Sequence, residues 1–252
     1  MIALLSPAKK MDFDFDTSKL EYSQPVFVDR SQQLINKLSK LSRKKIGSLM
    51  SLSASLAELN YNRYHAWQLP FTTANAQQAI YAFRGDTYIG FDADSMSPSD
   101  IAFAQNHVRI LSGLYGVLKP LDLIQAYRLE MSTKLPVGRK KNLYEFWKKD
   151  IVAYLNEQLK ADEVIINLAS NEYFKAVDTK ALKAKVITCS FKEYKDGDYK
   201  MIMIFAKQGR GAMARYMVDH KIEHPEDLKG FDRNGYSYNA VLSTATDWCF
   251  TR

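Results

Sequence analysis

The sequence predicts an α/β (mixed α+β) fold: a single compact domain over residues 1–252, built as a central mixed sheet with flanking helices. Three observations carry this. Short apolar runs of strand type occur near both ends of the chain, and the long stretch between them repeats apolar residues at helical spacing. No repeat, low-complexity tract or Pro/Gly/Ser linker divides the chain. The first strand must therefore find partners more than 150 residues away, which ties the two ends together. With 252 residues, 46% of them apolar, the chain can bury a large core.

Taken in order, Ile2–Leu5 reads as the first strand. Leu34, Ile35, Leu38 and Leu41 then recur at helical spacing, followed by Ile46, Leu49, Met50, Leu56 and Leu59, and by Ile101, Val108 and Leu111. Ser97, Pro98 and Asp100 supply a capping oxygen, a proline for the first helical position and an acid near the positive end of the helix dipole. Asn142 and Glu145 form a capping-box variant ahead of a helix that buries Phe146, Ile151, Tyr154 and Leu155. Residues 164–169, 186–191 and 199–206 read as strands, the last two joined through Asp196-Gly197 as an antiparallel hairpin. Gly209-Arg210-Gly211 is read as opening a helix.

Composition excludes several classes. The longest unbroken apolar run, residues 201–206, is far short of the roughly 18 needed to span a bilayer. The opening residues reach Ser6, Pro7, Lys9 and Lys10 before a signal-peptide core of about 7 to 15 apolar residues could form. A cytoplasmic protein with no membrane partner is expected. Cys189 and Cys249 form no CxxC, so neither a disulfide framework nor a cysteine metal site is available. No Walker loop or GxGxxG motif calls for a cofactor, and none is expected. His220, Glu223 and His224 spell HxxEH, but Pro225 disfavours helical geometry at His224, so no metal is expected there.

The charge is uneven. Residues 30–57 carry Arg30, Lys37, Lys40, Arg43, Lys44 and Lys45 with no acid, and residues 134–149 carry six more cations against Glu145 alone. The two runs are net +11 in a chain of net +7, so the rest is acidic. They form either the footprint of a polyanion or the solvated outer faces of amphipathic helices. Tyr144, Phe146 and Trp147 could stack on bases, but their spacing turns them toward the core.

Several polar segments are too loop-like for core packing: SPAK from Ser6, FRGDTYIG from Phe83, LSGLYGVLKPLDLIQAYRLEM from Leu111, INLASNEYFK from Ile166 and RGAMARYM from Arg210. Together they resemble the YaaA family of bacterial peroxide-stress proteins, from the first strand to about Gly235. The resemblance implies an embedded helix-hairpin-helix element, a basic cleft that binds double- or single-stranded DNA, and a role in limiting peroxide damage by keeping intracellular iron low. No obligate protein partner is expected. Glycines in such hairpins let main-chain N–H groups approach phosphates. Residues 109–131 fit this in part, because Gly113 and Gly116 stand three apart where the usual hairpin has glycines two apart. A helix C-cap at Gly113 followed by a packed loop is the alternative. The residues expected at DNA are Arg109, Gly113, Tyr115, Gly116, Lys119, Arg128, Lys140, Lys141, Arg210 and Arg215.

A second reading uses the same loops. Those carrying Lys9 and Glu172 follow strands able to pair in parallel, and ligands gather at the carboxyl ends of such strands. Lys9, Glu130, Glu172 and Tyr173, with Arg128 and Arg210, would then offer anion clamps and a carboxylate base to a nucleotide- or nucleobase-processing enzyme. A salt-bridge network that only fixes the loops is the bland alternative.

Overall fold

The computed structural model describes residues 1–14, 20–160 and 162–252. β1 (Ile2–Leu5) and β2 (Lys10–Met11) precede α1 (Val28–Leu38), α2 (Arg43–Met50) and α3 (Ala54–Ala66). Short elements follow: β3 (Gln77–Gln78), α4 (Ala79–Ala82), β4 (Phe83–Arg84) and α5 (Asp86–Phe91). Then come α6 (Pro98–His107), β5 (Val108–Ser112), β6 (Gly116–Leu118), β7 (Leu123–Ile124), α7 (Leu143–Gln158), β8 (Val164–Asn167) and α8 (Asn171–Phe174). The chain closes with β9 (Lys185–Lys195), β10 (Asp198–Lys200), α9 (Met203–Asp219), β11 (Ser237–Tyr238) and β12 (Asp247–Thr251).

The main sheet runs β11-β12-β9-β8-β1-β5-β6, with β10 paired to β9. Its five central strands, β12, β9, β8, β1 and β5, are parallel, and the edges are antiparallel. The fold is thus α/β with a mixed sheet, as the sequence predicts. Burial explains the pairing: Ile2 through Leu5 are all buried, as a parallel strand covered on both faces requires. Each Leu or Ile so buried contributes roughly 1.5–3 kcal/mol.

The local signals hold where side chains bond their own backbone. Ser97 and Asp100 form a complete capping box at α6. Asn142 accepts from the Glu145 N–H at 2.9 Å, and Phe146, Trp147, Ile151 and Leu155 face the core. Asp196 and Gly197, with φ of 55° and 82°, make the turn between β9 and β10.

Three expectations are corrected. Val108 and Leu111 lie in strand β5, not in a helix. The strand expected at residues 199–206 stops at Lys200, and α9 begins at Met203, burying Ala206, Gly209, Met213 and Met217 at helical spacing. Gly209 and Gly211 therefore sit inside a helix rather than at its start. A short apolar run fits a buried strand and a helix alike, and here packing against α5 and β9 decides.

Asp122 is a buried carboxyl, 3% exposed, that accepts from Ser23 Oγ at 2.6 Å and the Lys119 N–H at 2.8 Å. Burial outweighs these bonds and pushes its pKa up to about 6. A folded-state pKa above the ordinary value favours the fold most below about pH 4, and that contribution is lost as pH rises through 6, a swing of about 3 kcal/mol. Urea melts at pH 4, 5.5 and 7 are expected to show wild type losing stability relative to Asp122→Asn as pH rises. Parallel pH profiles would refute this.

Candidate functional site

The winding of the sheet reverses beside β1. From β1 the chain passes to β5 on one side, whereas from β8, on the other side of β1, it passes outward to β9. The carboxyl ends of β1 and β8 therefore border the crevice in which open α/β sheets gather ligands. Ser6 follows β1 and Ser170 follows β8. The Ser170 N–H donates to Ser6 Oγ at 2.9 Å, and the Tyr88 phenol donates to the Ser6 carbonyl at 3.1 Å.

Polar side chains collect around this edge. Lys9 Nζ lies 3.1 Å from Glu130 Oε1, and Arg128 Nη2 lies 3.0 Å from the same oxygen. Glu172 Oε1 accepts from Ser132 Oγ at 2.8 Å and from the Ser132 N–H at 3.2 Å, while the Tyr144 hydroxyl donates to the Glu172 carbonyl at 2.9 Å. Tyr173 is buried beneath. Burial first, then Tyr127, Glu172 and Glu130, holds its phenol well above the usual range, so it stays protonated. Contacts thus link Lys9, Arg128 and Glu130, and separately Ser132, Glu172 and Tyr144, with Tyr173 close to both carboxylates.

Arg210 comes from the middle of α9. A Cβ on Gly209 would strike the Phe191 ring, and one on Gly211 would strike the Thr87 carbonyl, so Arg210 leaves the helix between β9 and α5. The start of α5 lies against the β1 loop, where a Cβ on Gly85 would sit 3.3 Å from Ala8 Cβ. The Arg210 guanidinium is partly buried, makes no hydrogen bond or ion pair with a described residue, and has its pKa lowered by burial.

Other expected DNA residues lie inside the protein. Arg109 is 3% exposed; its Nε donates to Tyr154 Oη at 3.1 Å, Nη1 to the Gln105 and Val108 carbonyls at 2.9 and 2.7 Å, and Nη2 to Gln158 Oε1 at 3.2 Å. Gly113, Tyr115 and Gly116 are buried: Trp147 Nε1 donates to the Gly113 carbonyl, Trp67 Nε1 donates to the Tyr115 hydroxyl, and the Trp147 ring covers Gly116. Residues 108–118 form a β-hairpin, so the helix-hairpin-helix expected there is not formed. Lys119 is half-buried, and Lys140 and Lys141 are exposed. Arg215 lies in a separate cleft of about 580 Å³ between α5 and α9, bound to Asp219 at 2.7 Å and to the Asp92 carbonyl at 2.6 Å.

A two-helix hairpin does occur, at α2 and α3. Ser42 and Ser53 cap the two helices, and Ser51, in left-handed geometry, turns the chain between them. Lys44 and Lys45 are exposed there. The two basic runs meet through Arg30, which stacks 3.9 Å over the Phe146 ring of α7 and pairs with Asp150 at 2.9 Å. Of the twelve cations in these runs, Arg30, Arg43 and Lys148 have carboxylate partners, and the other nine pair with no described residue.

The sequence matches the family described as peroxide stress protein YaaA over residues 1–242. The chain belongs to the YaaA family. It is 52% identical to a UPF0246 protein of Bordetella petrii, over all of this chain and 99% of that one. It is likewise 52% identical, with the same coverage, to a UPF0246 protein of Colwellia psychrerythraea, and 50% identical to one of Flavobacterium johnsoniae, over all of both chains. The family's name supports a stress-response role.

Both cysteines are buried. Cys189 is 2% exposed, and burial pushes its thiol up to about 12. Cys249 pairs with Ser190 rather than Cys189 across β9 and β12, so the two thiols point to opposite faces of the sheet. Folded protein is expected to react with iodoacetamide at least about tenfold more slowly than unfolded protein. Equal rates, measured by mass spectrometry, would refute this. The helix α9 ends at Asp219, and Lys221 has a φ of 49°, so His220 and His224 do not share a helical turn.

Proposed function

We propose that this YaaA-family protein binds DNA through the phosphate backbone with little sequence preference, acting in the cytoplasm during peroxide stress and helping limit intracellular iron and DNA damage. The observation that carries the DNA reading is the set of nine cations without carboxylate partners among the described residues, on two basic runs that adjoin through Arg30 and α7. Cations left without internal partners can release counterions from a polyanion. The α2–α3 hairpin supports the reading because it offers exposed Lys44 and Lys45 on a rigid pair of capped helices.

Counterion release makes such binding fall steeply with salt, with a slope of roughly −0.9 in log K per log salt for each phosphate contacted. Gel shifts on unrelated duplexes and on single strands, from about 50 to 200 mM salt, should give similar affinities at each salt and a common steep decline. Salt-insensitive binding, or none at low salt, would sink the reading.

A further inference from the structure

Lys9 and Arg128 border the crevice beside β1, and Arg210 leaves α9 between β9 and α5, whose start adjoins the loop after β1. Lys9 and Arg128 share one oxygen of Glu130, and Arg210 has no hydrogen-bond or ion-pair partner among the described residues. The Nε atoms of Arg128 and Arg210 are both buried without an acceptor among the described residues. Buried polar nitrogens are ordinarily satisfied, and a guanidinium drawn from water without a counter-ion is unfavourable. No described acceptor bonds either Nε atom, although Glu172 Oε2 is left without a hydrogen bond from a described residue. The site is built to receive an acceptor from outside.

We propose that this crevice binds the phosphate monoester of a single nucleotide, clamped by Lys9, Arg128 and Arg210. Brought together, these three cations against Glu130 and Glu172 leave one surplus positive charge, which favours an anionic ligand over a neutral one. Planar guanidinium forks suit phosphate oxygens in bidentate fashion. Glu172 Oε2, free of hydrogen bonds from described residues, supplies an acceptor for an exocyclic amino group, which thymine and uracil lack. Lys9, Arg128 and Arg210 are not among the cations of the two basic runs, and the inference does not rest on the DNA reading.

Calorimetric titration of the full chain at low salt, with 5′-dAMP, deoxyadenosine and inorganic phosphate, tests it. Binding of 5′-dAMP is expected, with deoxyadenosine at least about tenfold weaker. Arg210→Met should weaken 5′-dAMP by about tenfold or more and Arg210→Lys by less, both leaving duplex affinity within about twofold. The lysine variant keeps the test open should the methionine variant fail to fold. Competition by a 5′-phosphorylated single strand, but not by its 5′-hydroxyl counterpart, would assign the occupant to a DNA end; competition by neither would assign it to free nucleotide. Absence of 5′-dAMP binding, equal affinity for deoxyadenosine, undiminished affinity in both Arg210 variants, or a parallel loss of duplex affinity would overturn the proposal. Duplex binding absent in wild type with 5′-dAMP retained would sink the DNA reading and leave this one standing.

Discussion

Gly211→Ala is expected to cost more than about 4 kcal/mol and to leave little folded protein, although alanine in an exposed helix interior would gain about 1 kcal/mol over glycine. A Cβ at Gly211 would lie 1.8 Å from the Thr87 carbonyl oxygen and 2.9 Å from the Phe91 nitrogen. Gly90 makes the reciprocal approach, its Cβ meeting the Gln208 carbonyl oxygen at 2.2 Å and the Ala212 nitrogen at 2.9 Å. The helices α5 and α9 thus cross backbone on backbone, and neither can retreat without opening the layer that covers β9. Gly209→Ala is the control: its Cβ meets the Phe191 ring at 2.6 Å, and a ring can rotate away where a main chain cannot. A cost of about 1–3 kcal/mol is expected for that change. Urea melts should rank the Gly211 and Gly90 variants well below the Gly209 variant. Wild-type stability in Gly211→Ala would show that the two helices do not pack this closely.

Those glycines mark where the sequence is legible and where it is not. It announces local bonds, because both partners lie within a few residues: the Ser97 and Asp100 capping box, the Asn142 cap and the Asp196-Gly197 turn all appear where the residues indicate. A glycine announces only that something comes close. Gly113 and Gly116 read as places where a phosphate could approach, yet what approaches Gly113 is the Leu129 carbonyl and what approaches Gly116 is the Trp147 ring. Arg109 misleads for a related reason: a central parallel strand is buried along its whole length, so β5 shows no period of two, and its arginine does not announce that Tyr154 and Gln158 will satisfy it from α7. The crevice residues are legible as polar loops after strands. The Ser6–Ser170 contact and the bare Nε of Arg210 depend on strand order, which no local pattern encodes. The α2–α3 hairpin has a usable signal, two serine caps flanking a basic run without acids, and the more conspicuous glycines downstream obscure it.

Converting Lys44, Lys45, Lys140 and Lys141 together to glutamine is expected to lower duplex affinity by roughly two orders of magnitude at low salt and to flatten the salt dependence by up to about 0.9 for each phosphate no longer neutralised. All four side chains are exposed and pair with no described carboxylate, so their removal breaks no internal bond, and the thermal midpoint should move little. Arg109→Met supplies the opposite case. It removes a guanidinium that donates to two side chains and two carbonyls inside the protein, at a cost of about 3 kcal/mol or more. Measured where that variant is still folded, its salt slope should equal that of wild type. The two results together separate cations that hold the fold from cations that meet phosphate. A quadruple variant with unaltered slope, or an Arg109 variant whose slope falls by about one, would reverse that assignment residue by residue.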